Sequence, residues 1–450
     1  MKLEMTVRRS PLVICTGLAL MMTACSSDSA HSPNPTAFNT ADSGTAQPAA
    51  VENPLLKDVE LTIVSGSPDD EMNAVYLDPL RKKFPNVRIK NIQMSAANHT
   101  TLPELLSSKV KFDLFTTSRG GYETNILDYQ LKYDMTELIR KHHVDISNLE
   151  PTAMDSMRQM GGGKLYGLPV RMNSLLLFYN KALFDKFGVP YPKDGMTWNE
   201  TFDLAKRMTR TDGQKYYGLG SSSTAAYLGW NPLSLPLVNT STKKPTINTD
   251  ERWKTLIQTV FLNSTITDSY KDAGKIPDWA AFSKTQNVAM ILYTAAVPLA
   301  LTKDLEPLDW DMVSLPVFAD APKLGSQTSP NYFGVTSLST NPDAAIEAIK
   351  YWTSLEYLVE GSKGGSLMAS RAKEVTSVLG KGSPFPNKNW GAVTYFPFAP
   401  MSATTNVDTK VRSVYEKYLN ATMAGTMDLN TALRTMDEEA QKIITAELTP

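Results

Sequence analysis

Between residues 59 and 115 the hydrophobic pattern switches repeatedly between strand-like and helix-like periods, and this alternation restricts the fold most. Val59-Glu60-Leu61-Thr62-Ile63-Val64 alternates with period two and runs into Ser65-Gly66-Ser67-Pro68, a strand meeting a turn. Asp69, Asp70 and Glu71 then open a helix, where acidic side chains suit the positive end of the helix dipole. That helix closes at Phe84-Pro85-Asn86, and residues 87–92 form a second strand. A short helix near Leu102 to Ser108 leads to a third strand at Phe112-Asp113-Leu114-Phe115. Strand, helix, strand, helix, strand at this spacing builds a mainly parallel sheet covered by helices, an α/β fold.

The two ends of the chain differ in kind from this region. Lys2, Arg8 and Arg9 precede an uncharged stretch from Pro11 to Met22. At about a dozen residues that stretch is too short to span a bilayer, and it reads as the core of a signal peptide. It ends in Met22-Thr23-Ala24-Cys25, which resembles the bacterial lipoprotein box, cleaved before the cysteine so that the thiol is acylated. The resemblance implies lipid attachment at Cys25 and a place on the extracytoplasmic face of the cell membrane. The chain has 2 cysteines, and Cys15 would leave with the signal, so no disulfide framework is expected. Each buried acyl methylene contributes about 0.8 kcal/mol, so two or three chains give durable anchoring. Residues 25–54, rich in Ser, Ala, Pro and Thr, lack the large apolar side chains a core needs and read as a tether.

The remaining ~395 residues exceed one comfortable core and call for two domains. A formal net charge of −1 argues against a nucleic-acid partner, which would need clustered basic charge. Further along, Asn180 caps a helix that Gly188 and Pro190 stop. Thr197-Trp198-Asn199-Glu200 has the capping-box pattern, and Asn341-Pro342 starts a helix with Ala345, Ile346, Ile349 and Trp352 on one stripe.

The stretch from Leu165 to Lys181 contains Tyr166-Gly167-Leu168-Pro169 and ends in Tyr179-Asn180-Lys181. With Phe184-Asp185-Lys186-Phe187-Gly188-Val189-Pro190 and Thr197-Trp198 downstream, it resembles the family-1 extracellular solute-binding proteins of bacterial carbohydrate ABC importers, relatives of maltose-binding protein. Weaker echoes reach Val288-Ala289-Met290, where Gln286-Asn287 stand in place of the usual Gly-Lys. The resemblance implies a two-lobed clamshell with the ligand between the lobes, closing by hinge motion so that a permease distinguishes loaded from empty protein. It implies a sugar ligand, ABC permease subunits as partners, a monomer, and neither cofactor nor catalytic residues. The expected division is 55–168 with about 298–341 in lobe 1, and 169–297 with about 342–450 in lobe 2.

A sugar presents hydroxyls in fixed directions and flat C–H faces, so its site needs planar hydrogen-bonding groups and aromatic surfaces. The candidates lie just after strands or at the crossings between lobes: Ser65, Ser67, Ser118, Arg119, Arg171, Asn173, Trp230, Tyr293 and Tyr332. Arg119 and Arg171 meeting in one cleft would favour an acidic sugar. Trp198, Trp352 and Trp390 read as packing residues.

Two other functions fit such a chain. A surface glycan hydrolase needs paired carboxylates, which any fold can supply, although no Gly-x-Ser-x-Gly elbow or His-Glu-x-x-His motif occurs. A sensor subunit would use the same binding fold. Gly161-Gly162-Gly163-Lys164 lacks the spacing of a phosphate loop and reads as a turn, and adjacent His142-His143 are poorly placed to share a metal.

Overall fold

The structure, a computed structural model, describes residues 52–448 with residue 223 excepted. The expected signal peptide, Cys25 and all but the last residues of the tether lie outside the described residues. The described residues form one compact unit. Its strands are β1 (Val59–Ser65), β2 (Val87–Gln93), β3 (Leu114–Ser118), β4 (Leu168–Arg171), β5 (Leu175–Asn180), β6 (Arg210–Asp212), β7 (Gln214–Ser221), β8 (Val238–Asn239), β9 (Lys244–Pro245), β10 (Val288–Thr294), β11 (Trp310–Ser314) and β12 (Asn331–Val335).

They assemble into two five-stranded sheets, ordered β2-β1-β3-β12-β4 and β11-β5-β10-β7-β6, with β8 and β9 as a separate pair. In the first sheet β1 runs parallel to β2 and β3, as the early alternation requires, while β12 is antiparallel to β3 and β4. The helices between these strands form where the sequence places their start signals. Thr101 and Glu104 make a capping box ahead of the helix Leu102–Ser107, satisfying orphan N–H groups at its first turn. The helix opened by Asp69 carries one wide π turn over Asn73–Leu77 before ending at Lys83.

The second sheet is buried on both faces. All six residues of β5 are buried, which explains an uninterrupted apolar run where a half-exposed strand would alternate. Leu175, Leu177 and Tyr179 join a core with Phe184, Trp198 and Phe202. Leu176 and Phe178, on the opposite face, join another with Trp310 and Trp390. Asn180 accepts a hydrogen bond from Leu183 N, and Gly188 takes a left-handed φ of 63° that ends the helix Lys181–Phe187. The Thr197–Glu200 box caps the helix Trp198–Met208, whose Phe202, Ala205 and Met208 face the core.

The later segments divide between the sheets differently from the sequence expectation. β11, assigned to the first lobe, pairs antiparallel with β5 as an edge of the second sheet. There Trp310 packs 5.8 Å from Phe178. The helix Pro342–Trp352, assigned to the second lobe, lies on the first sheet. Trp352 sits 4.9 Å from Phe333 and donates its indole N–H to Tyr76 O at 3.0 Å. The apolar stripe of this helix was legible, but a stripe does not say which sheet it covers.

Three segments connect the two sheets. The first passes from β4 to β5 through Met172, Asn173 and Ser174, and the second from β11 to β12. They are tied where they cross, since Asn173 and Ser329 exchange backbone hydrogen bonds of 3.0 and 2.9 Å. The third runs on from the helix Leu355–Lys363, bridging Met368 to Arg171 before reaching the helices Asp408–Met423 and Leu429–Leu448 of the second core. Gly334 in β12 lies so close to this junction that a Cβ would meet Tyr166 O at 2.3 Å. Only glycine lets the Tyr166 backbone rest against the strand.

Candidate functional site

Where these connections meet, a cavity of about 300 Å³ opens between elements of the two sheets. One wall is the turn after β3. Ser118 caps it by accepting from Gly121 N at 3.4 Å, and a four-residue helix Arg119–Tyr122 widens at once into a π turn over Glu123–Leu127. Such widened turns often mark functional positions, because they re-aim the side chains that follow. The opposite wall carries Trp230, with Asp408 and Arg412 from the start of the helix Asp408–Met423. The crossing residues Gln327, Thr328 and Ser329 and the loop 401–406 form the rest.

The chemistry of this cavity is unusual for its burial. Arg119 is 6% exposed, yet its Nε and Nη2 have no hydrogen-bond partner. Glu123 is 7% exposed; one carboxylate oxygen accepts from the Thr404 hydroxyl and the other, Oε2, has no partner. Asn406 donates to Asp128 at 3.0 Å and leaves its own buried Oδ1 unpaired. Buried polar groups are nearly always hydrogen-bonded, because stranding one costs about 1–3 kcal/mol. Several unpaired donors and acceptors around one cavity therefore describe a surface complementary to a polar molecule.

Burial dominates the electrostatics. It pushes the Glu123 carboxyl up to about 7, with the Thr404 hydrogen bond and the Arg119 charge pulling the other way. It pushes Asp408 up to about 6, against hydrogen bonds from the Thr405 backbone (3.0 Å) and hydroxyl (2.6 Å). The Arg119 guanidinium is lowered by the same desolvation, which the charge of Glu123 opposes. Gln327 is held rather than free: its Nε2 donates to Asn231 O at 3.0 Å and its Oε1 accepts from Ser402 N at 2.7 Å.

Of the residues singled out in the sequence, the structure brings Ser118, Arg119 and Trp230 to this cavity. It places the others elsewhere. The Ser65 hydroxyl is buried and donates to Asn91 at 2.8 Å, while Ser67 donates its backbone N–H to Ser65 Oγ at 3.2 Å; both serve the turn after β1. The Asn173 side chain accepts from Ser174 N and Ala296 N at 3.0 and 3.2 Å, fastening the crossing. Tyr293 packs against Trp279 at 5.3 Å. Tyr332 is 0% exposed and donates to Ala153 O at 2.7 Å, because its position in β12 turns it into the first core. Arg171 opens onto a different cavity, of about 710 Å³, so the two arginines expected to meet do not. Trp198, Trp352 and Trp390 are packing residues, as the sequence suggested.

The sequence reading missed Glu123, Gln327, Thr404, Asn406, Asp408 and Arg412. A signal for one existed: Thr405 stands three residues before Asp408, the spacing of a helix-start box, and the two are hydrogen-bonded. Elsewhere, Gly161–Gly163 forms a turn, and His142 is held between Asp343 (2.6 Å) and Glu347 (2.8 Å).

Residues 66–358 match the family described as bacterial extracellular solute-binding protein, and the chain belongs to that family. Its fold is the two-lobed α/β architecture of solved members. A sugar transporter from Rhizobium etli in an open conformation superposes with a TM-score of 0.68 at 19% identity, covering 85% of this chain and 99% of its own. An ABC substrate-binding protein from Listeria monocytogenes in complex with cycloalternan gives 0.65 at 20% identity, covering 85% and 98%. An ABC transporter solute-binding protein from Thermotoga lettingae bound with α-D-tagatose gives 0.63 at 19% identity, covering 86% and 99%.

Proposed function

We propose that this protein captures a mono- or oligosaccharide in the cavity between its two lobes and delivers it to the permease of an ABC importer. The observation that carries the reading is the set of buried, unpaired hydrogen-bonding atoms on Arg119, Glu123 and Asn406, three residues that line one cavity with Trp230. Donors, acceptors and a flat aromatic face are what a sugar's hydroxyls and C–H surface require. Family membership and the sugars bound by its structural neighbours support the same class of ligand. Closure of the lobes around the sugar would alter the surface offered to the permease, with no bond made or broken. The chain would work as a monomer, attached through acylated Cys25 to the extracytoplasmic face of the membrane. Ser118, Arg119 and Trp230, with Glu123, Asn406, Asp408 and Arg412, form the proposed ligand site.

A thermal-shift screen of sugars, peptides and polyamines tests the ligand class. A ligand at a hundred times its dissociation constant adds about 2.7 kcal/mol, a shift of a few degrees. A stabilising sugar recovered chemically unchanged supports a carrier; hydrolysed product would point to an enzyme. Stabilisation by peptides alone would overturn the sugar reading. For the anchor, mass spectrometry of the membrane fraction should find acylated Cys25, and an unmodified terminus there would remove it.

A further inference from the structure

Resting on the reading of the cavity as a carbohydrate site, we infer that it is built for an uncharged saccharide and rejects sugar acids. The reason is the way charge is laid out across it. Arg119 and Glu123, four residues apart on one helical turn, come from the first lobe; Asp408 and Arg412, again four apart, come from the second. The four side chains line one cavity and sum to zero when ionised. They also lie within electrostatic reach, since Arg119 acts on both Glu123 and Asp408, and Arg412 acts on Asp408.

Their polar atoms are not spent on one another. The Nε and Nη2 of Arg119 and the Oε2 of Glu123 have no partner, so a donor and an acceptor on neighbouring side chains are unspent together. Adjacent sugar hydroxyls, each both donor and acceptor, satisfy such a pair without adding net charge. A carboxylate would pair with Arg119 but would bring its charge beside Glu123 and Asp408 in a poorly screened cavity. Discrimination here comes from repulsion as much as attraction. Among the described residues Trp230 is the one aromatic side chain lining this cavity, so it supplies the stacking face.

Calorimetric titration at pH 8, where both carboxyls are ionised, tests this on the purified chain. The probes are glucose, galactose, mannose, their disaccharides, glucuronate and galacturonate. The neutral sugar that binds should do so at least about tenfold more tightly than its uronate. Glu123→Gln should narrow that gap about tenfold by leaving a surplus positive charge, and Asp408→Asn should act in the same direction from the other wall. Arg412→Gln should widen it. Lowering the pH of the unaltered protein to 5.5 should narrow the gap as well, a readout that needs no variant to fold. The titrating groups are Glu123, faced by Arg119, Asp128 and Asp408, and Asp408, faced by Arg119 and Arg412. A uronate that binds as tightly as its parent sugar overturns the inference and leaves the carbohydrate reading standing. Equal losses for both sugars in Glu123→Gln, with no pH effect on the gap, also overturn it. Silence from every sugar, neutral and acidic, removes the carbohydrate reading and the inference with it.

Discussion

Arg119 and Arg171 invite comparison, because each stands at the carboxyl end of a strand in the same sheet and each is largely withdrawn from water. Around Arg119 the walls come from both lobes and from the segments that cross between them, and two of its buried nitrogens have no hydrogen-bond partner. Around Arg171 the walls are the helix after β1 and the helix Leu355–Lys363, elements of one core. Burial is the largest influence on its guanidinium and lowers it, but the Tyr76 and Tyr357 phenols and the Glu71 carboxylate together raise it. The Arg171 cavity is more than twice the volume of the other. The proposed site is therefore chosen by unspent hydrogen-bonding capacity at a junction of separately built walls and not by volume.

The sharpest way to break this contrast is to truncate each arginine and titrate a bound sugar. Arg119→Ala should weaken binding roughly a hundredfold, since a buried charged hydrogen bond is worth about 1.5–3 kcal/mol. Trp230→Ala comes next, at roughly tenfold, for the loss of one stacking face. A smaller effect concerns the ligand-free protein. Glu123 rises from an ordinary 4.5 to about 7 in the folded state, and Asp408 from 3.8 to about 6. The folded state thus holds protons that the unfolded chain releases, so stability contributed at pH 4 is lost as the pH climbs through these windows and levels off above about 7. Thermal melts should show a fall of a few degrees from these groups, and Glu123→Gln should flatten the part above pH 6. Least of all, Arg171→Ala should leave sugar affinity within about twofold. A loss matching that of Arg119→Ala would erase the distinction between the two cavities.

The same pair shows what a sequence discloses. The early strands, the Thr197–Glu200 cap and the stripe of the helix Pro342–Trp352 were legible because each is a local pattern with a local cause. The family resemblance around Tyr166–Lys181 extended this to the fold. The proposed site was legible only where a wall lies next to a recognisable strand end, as with Ser118 and Arg119. Glu123 was hidden because the π turn that re-aims it leaves no mark in the residue types, and Asp408 and Arg412 because they return to the cavity from nearly three hundred residues away. Tyr332 was misplaced for a simpler reason: period two in a strand says that alternate residues share a face but not which face is wet.

The third crossing has a consequence for when the molecule can fold. The second core depends on Val411, Tyr415 and Leu419 from one late helix and on Leu433, Met436 and Ile444 from the last. Until those residues leave the ribosome, the second core lacks part of its packing, so this half of the protein cannot close early in synthesis.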